Sequence, residues 1–390
     1  MLRPTPLEIA SGIVVGTEPR RFHTHLASTP RSDRIVPLRA LQAAMLPALR
    51  RTPCFVSFSG GLDSSFVLAV ATGLASEHGL PAPIPCTWRF SGAPCADESQ
   101  WQERVIAVLQ LSVWVKMQAD DDLDLVGPVA QRLLQRHGVL HPVNVHSHLP
   151  IVELAAGGSL LTGVGGDQIL SGWRSGPRRS RPSSLRDVVP SPVRAFVRHR
   201  RGDDASPWLH DGPSRSTLAA HLHEIAAEPV SFHRRVAWHS TRRDLAMTCS
   251  SLDTLAADHD VLLVNPFVDR RFVASLSQVP GIRSPTSRCE VLGAIAAGAV
   301  PAVAYASRTK AHFLEVFLRS PTREFVASWD GSGVDPALVD VPSLRRLWSM
   351  WPIPPATAGL VQQAWLSTHR SAIASVADSP GMASPVGVGR

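Results

Sequence analysis

The chain has 390 residues, 44% of them hydrophobic and 18% charged, which excludes a disordered chain and leaves material for two to three domains. No apolar run approaches the roughly 18 residues of a membrane-spanning helix, so no membrane association is expected. Basic residues outnumber acidic ones by 39 to 32, for a formal charge of +7, and all but Lys116 and Lys310 are arginines.

Residues 1–35 are irregular and rich in Pro, Thr and Arg, with 9–15 alone suited to a short strand. Apolar residues at helical spacing run over 36–51. The pattern then alternates. Residues 54–58 form a short apolar run closed by Ser59-Gly60-Gly61, a buried strand followed by a tight turn. Residues 63–78 read as the helix after that turn, closed by Gly79. A second strand is expected at 85–90, and a second helix at 97–109, where Asp97 and Glu98 favour the N-terminus. Residues 112–117 alternate as a third strand, 125–137 make a third helix, 147–156 a further helix, and 159–162 another strand. Strands separated by helices of this length predict parallel βαβ units, hence an α/β fold with a doubly wound sheet of five strands inside 36–172.

Beyond 170 the strand pattern fades. The segment 173–207 reads as an Arg/Pro-rich loop, 208–376 as mainly helical with 216–227, 231–258 and 286–299 clearest, and 377–390 as a flexible tail. The five cysteines (54, 86, 95, 249 and 289) make no Cys-x-x-Cys pair. An odd count without a secretion signal fits reduced thiols and a cytoplasmic protein.

The chemistry concentrates in Ser59-Gly60-Gly61-Leu62-Asp63-Ser64, at the first strand–helix junction. Glycines there let backbone N–H groups approach an anion, and a helix N-terminus favours negative charge. Ser59 and Ser64 add hydroxyl donors, and Asp63 a hard oxygen for Mg²⁺. It is a phosphate cradle, but not a Walker loop, because no Gly-Lys-Ser/Thr follows the glycines.

This loop resembles that of the N-type ATP pyrophosphatases, which cut ATP between its α and β phosphates. Three further stretches narrow the resemblance to the synthetase domain of the asparagine synthetase family: Thr162-Gly163-Val164-Gly165-Gly166-Asp167, Asn265-Pro266-Phe267-Val268-Asp269 with Arg271-Phe272, and Arg308-Thr309-Lys310. The four stand in the family's order between about 36 and 318. The resemblance implies an adenine nucleotide alpha hydrolase-like sheet, ATP and Mg²⁺ as cofactors, and AMP with pyrophosphate as products. It places Mg²⁺ on Asp63 and Asp167, and the nucleoside at Phe58, Trp88 and Thr162-Gly163; Trp88 reads equally as a core aromatic. Lys310 would stabilise the pentavalent phosphorus and the tetrahedral carbon, and Arg288 falls near the family's second pyrophosphate-binding cation, about one residue out of spacing.

Two departures stand out. Full asparagine synthetases begin with a glutaminase domain, whereas only about fifty residues precede the loop here, so nitrogen is expected from ammonia, a partner or an amine on the substrate. Val164 stands where asparagine-forming members carry Glu and β-lactam-forming members Tyr, and valine takes no proton. The expected function is therefore an ATP-dependent amide ligase acting on a small amino acid or a peptide, such as a macrolactam synthetase. An ammonia-fed asparagine synthetase homologue, a tRNA-modifying pyrophosphatase and a non-catalytic nucleotide-binding protein are the alternatives. The resemblance places the stretch with His141, His146 and His148 beside the acceptor side, where they read as a base, a weak zinc pair (His146 and His148) or ordinary solvent-facing or capping groups. Nine arginines and one acid, Asp187, lie in 174–201, a solvated loop or a docking surface for an acidic peptide or partner protein; sparse aromatics (Trp173, Phe196) argue against nucleic acid.

Overall fold

The computed structural model describes residues 1–18, 36–90, 92–171, 206–229, 231–277, 287–308 and 311–377. The expected arginine loop at 174–201, Thr309, Lys310 and nearly all of the tail lie outside them. Of residues 1–35, expected to be irregular, the described 1–18 are so except for one short helix: α1 (Pro6–Ser11) stands where the strand expected at 9–15 would begin. Thr5 accepts from the Glu8 N–H while Glu8 reaches back to the Thr5 N–H, and Gly12 closes the helix at φ +68. Those two capping bonds and the glycine stop outweigh the β-branched run of Ile9, Ile13, Val14 and Val15.

Helix α2 (Pro37–Arg50) leads into β1 (Cys54–Ser57), α3 (Leu62–Glu77), β2 (Ile84–Phe90), α4 (Ser99–Leu109) and β3 (Val115–Ala119). Helices α5 (Pro128–His137) and α6 (Leu149–Leu154), β4 (Ser159–Leu161) and α7 (Gly166–Ser171) follow. The remainder contains α8 (Asp211–Ala227), α9 (Phe232–Ser240), α10 (Arg243–Asp258), β5 (Leu262–Val264), α11 (Arg270–Leu276) and α12 (Arg288–Ala296). It ends with α13 (Leu314–Phe317), α14 (Ser320–Ser328), α15 (Val341–Trp348) and α16 (Ala358–Ala377).

The five strands form one all-parallel sheet in the order β3-β2-β1-β4-β5, as an α/β fold requires. Only four of them come from 36–172. The fifth, β5, lies in the part read as helical, where three residues between Asp260 and Pro266 are too few to show any period. Its register pairs Ser159 with Leu262 and Leu161 with Val264. The third strand sits later than expected, because Cys86 to Phe90 of β2 pair with Val115 to Ala119. The helix expected over 231–258 is broken at Thr241-Arg242; Arg242 is almost fully buried and pairs with Glu224 of α8.

Apolar cores cover both faces of the sheet. One gathers α2, α3, α11 and α12, with ten residues of α3 buried. The other gathers α5, α6 and α10. A third, rich in tryptophan (Trp208, Trp329, Trp348 and Trp365), joins the N-terminal segment to the last helices. The strand order reverses between β1 and β4, so the crevice beyond their C-terminal ends is where an open α/β sheet binds ligand.

Candidate active site

The loop after β1 is held from three sides. Phe58 donates its N–H to the Cys86 carbonyl (2.8 Å), and its own carbonyl accepts from Thr87 Oγ1 (2.7 Å). Its side chain is buried in the core, so both ends of Phe58 brace the loop. Gly60 sits at φ +95, and a Cβ there would lie 2.7 Å from Gln102 Cγ. Gln102 in turn donates to the Ser59 carbonyl at 2.6 Å. From behind, the Arg308 guanidinium donates to the Gly60 carbonyl and to Ser65 Oγ, and rests 4.6 Å over the Trp101 ring. The Ser59 and Ser64 hydroxyls lie 3.1 Å apart and hold the turn closed, since Gly61 N–H donates to Ser59 Oγ. Gly61 is the N-cap of α3 and supplies no capping side chain. Its first-turn N–H groups are therefore free of a side-chain cap, as an anion cradle needs.

The loop after β4 packs directly on that cradle. Thr162 donates its hydroxyl to Asn265 Oδ1 and accepts the Val164 N–H (3.1 Å). A Cβ on Gly163 would lie 2.9 Å from Ser64 N, and one on Gly166 would fall on the Asp63 carboxyl. Gly165, at φ +89, has the Val268 side chain in the place a Cβ would take. Thus three glycines are fixed by close approach, two of them to the first turn of α3. Asn265-Pro266-Phe267-Val268-Asp269 supports this loop: Asn265 holds Thr162, Phe267 is buried, and Asp269 caps α11 through the Arg271 and Phe272 N–H groups. Val164 packs, partly buried, against the cores on both faces of the sheet.

Arg288 closes the arrangement. At the start of α12, whose N-cap is Ser287, its guanidinium donates to Asp63 Oδ2 at 2.6 Å and also to Asp167 Oδ1. The Asp63 side chain is 15% exposed and that of Asp167 52%, so one carboxylate is set into the wall and the other faces solvent. The expected trio Asp63, Asp167 and Arg288 is thus brought together at the switch point. Two hard carboxylates from facing loops, beside a helix N-terminus, are a donor set that would suit Mg²⁺, with Asp63 and Asp167 as its protein oxygens. Among the described residues no three His, Cys, Asp or Glu side chains converge as a metal cage.

Trp88 lines a cleft of about 260 Å³ beyond β2, with Phe90, Asp97, Glu98 and Gln102. Its indole N–H donates to the Ser147 carbonyl at 3.0 Å, which fixes the ring as a wall of that cleft. The two neighbouring histidines differ in kind. His146 is buried with Nε2 2.9 Å from the Leu123 carbonyl and Nδ1 3.2 Å from that of Val143, and burial holds its pKa below the usual value. It is a structural crosslink. His148 is pushed down to about 4 by burial and by the nearby His146. Sequence reading missed Gln102 and the loop-side role of Arg308; no spacing links either to Ser59 or Gly60, so only the packing of α4 and of the segment 302–308 reveals them.

A helix N-terminus free of a side-chain cap, two facing carboxylates and a bridging arginine at the switch point of a parallel sheet suit a nucleotide-handling α/β protein. The match to known families agrees: the chain belongs to the asparagine synthase family, whose model covers residues 39–367. It is an asparagine synthetase-like, ATP-dependent carbon–nitrogen ligase in general class. No curated protein matches the chain. Among the described residues no helix is long and apolar enough to cross a membrane.

Proposed function

We propose that this chain adenylates a substrate carboxylate with ATP, releasing pyrophosphate, and passes the acyl group to an amine that the substrate or a partner peptide already carries, as in macrolactam closure. The observation that carries the reading is the contact between the two Asp-bearing loops at the β1/β4 switch point, bridged by Arg288. In this reading Asp63 and Asp167 hold Mg²⁺, which offsets charge on the pyrophosphate leaving group. The first turn of α3, with Ser59, Gly60, Gly61 and Ser64, receives the phosphates. Trp88 and the Thr162-Gly163 backbone border the nucleoside. Arg288 turns its guanidinium from the carboxylates to a phosphate oxygen, where a bidentate donor is strongest. Lys310, outside the described residues, stabilises charge at phosphorus and then at the acyl carbon.

Val164 favours a specialised acceptor over asparagine, because an apolar side chain packed between two cores accepts no proton from ammonium. The test is ATP–pyrophosphate exchange against aspartate, glutamate and short Asp- or Glu-containing peptides. Exchange with a peptide and not with aspartate is expected, and Asp63→Asn or Asp167→Asn should abolish it while the protein stays folded. Robust asparagine formation from aspartate and ammonium would establish the primary-metabolic reading instead, and ADP as stoichiometric product would remove the class.

A further inference from the structure

His141 follows α5, and its backbone N–H reaches Ser251 Oγ of α10 (3.4 Å). Its Nε2 donates to Asp244 Oδ1 at 2.6 Å, so Nε2 carries the hydrogen. Nδ1 is then the ring's acceptor, and it has no hydrogen-bond partner among the described residues. The two side chains are 20% and 29% exposed, so the pair opens to solvent rather than lying sealed in a core. Asp244 stands in the first turn of α10 and also takes a hydrogen bond from Gln168. Gln168 directly follows Asp167, and two residues before it Gly166 abuts the Asp63 carboxyl. One turn of α7 therefore connects the phosphate end of the site to this histidine.

The carboxylate is built to stay charged. Burial pushes the Asp244 carboxyl up, but the His141 hydrogen bond, the Arg242 charge and the Gln168 hydrogen bond together hold it below the ordinary range. A carboxylate that fixes one imidazole nitrogen while leaving the other open is the arrangement of an oriented general base.

We propose that His141, oriented by Asp244, is the general base for the amine in the acyl-transfer half-reaction, supplying the proton acceptor that Val164 lacks. This rests on the ligase reading above. The amine nitrogen forms its bond to the acyl carbon as the carbon–oxygen bond to AMP breaks. The electron pair leaves on the AMP phosphate, the amine proton passes to His141 Nδ1, and Asp244 stabilises the imidazolium until that proton reaches solvent. No oxidant or second co-reactant is required.

The two half-reactions separate the roles. With a carboxylate that supports exchange in the wild type, His141→Gln and Asp244→Asn should retain ATP–pyrophosphate exchange. Amide formation should fall, by roughly 100- to 10,000-fold for the histidine variant. Hydroxylamine, largely unprotonated at neutral pH, should restore acyl transfer in His141→Gln as hydroxamate, a rescue that a merely structural role does not give. Unchanged amide formation in His141→Gln, or loss of exchange and of hydroxamate in a variant that still melts cooperatively at the wild-type temperature, overturns the base role. Should His141→Gln fail to fold, Asp244→Asn decides by the same three readouts. A wild-type enzyme that shows no exchange with any carboxylate removes the ligase reading itself, a distinct result seen before any variant is made.

Discussion

Gly166 shows how little room a single residue has at this site. Its position is fixed by the Asp63 carboxyl, which occupies the space a side chain would need. Gly166→Ala should cost about 1–3 kcal/mol, as forced overpacking does, and should weaken nucleotide binding because the atom that must shift is a site carboxylate. Thermal melting and ATP titration together check this; wild-type ATP affinity would show that Asp63 is not where the nucleotide binds. His148 carries a different liability. Its Nδ1 is shielded with no hydrogen-bond partner among the described residues, and its pKa is depressed to about 4. An unfolded chain takes up that proton near the ordinary value of about 6.5, so the unfolded state binds more protons in between. Its contribution to stability is present above pH 6.5 and is lost as pH falls toward 4. His148→Gln should therefore lose less melting temperature than wild type over that interval, and equal losses would place the acid sensitivity elsewhere. Asp63 and Asp167 stood out in the sequence because glycine loops announce themselves locally. Gln102 and Arg308 did not, since what they do depends on contacts with residues more than 40 positions away.

At the scale of elements, what was legible followed a plain rule: strong periodicity located segments, and side-chain bonds set their ends. The strand–turn–helix at 54–77 was readable because β1 and α3 are buried and the turn between them is glycine-rich. The break between α9 and α10 was not, because it depends on Arg242 finding Glu224 on another helix. The short α1 carried its signal in Thr5 and Glu8, overshadowed by neighbouring β-branched residues. Helix α12 adds a testable coupling. Its first residue, Arg288, pairs with both carboxylates proposed for the metal, so a cation arriving there competes with a guanidinium. Arg288→Met should raise the affinity of nucleotide-free protein for Mn²⁺ alone, by about tenfold for each 1.4 kcal/mol of pairing removed. Electron paramagnetic resonance of the free ion reads this directly, and an unchanged affinity would mean that the cation binds away from Asp63 and Asp167.

For the whole molecule the important fact is that β5 belongs to a sheet whose other four strands end at Leu161. Its hydrogen bonds reach β4 (Thr162 N–H to the Val264 carbonyl, 3.1 Å), and α11 packs on α2 across the same region. Neither half carries a complete sheet. On a ribosome that emits about 5–20 residues per second, the roughly 100 residues between β4 and β5 take about 5–20 s to appear. For that interval the β4 edge is bare, a row of unpaired backbone groups of the kind that recruits other chains. A nascent chain stalled after residue 205 should be cut readily by protease and hold a chaperone, whereas one stalled with residue 277 fully emerged should resist cleavage through 54–161. Equal resistance at both lengths would mean that the first four strands are already stable alone. Synthesis of this protein thus has a timed vulnerability, written into the distance between two neighbouring strands.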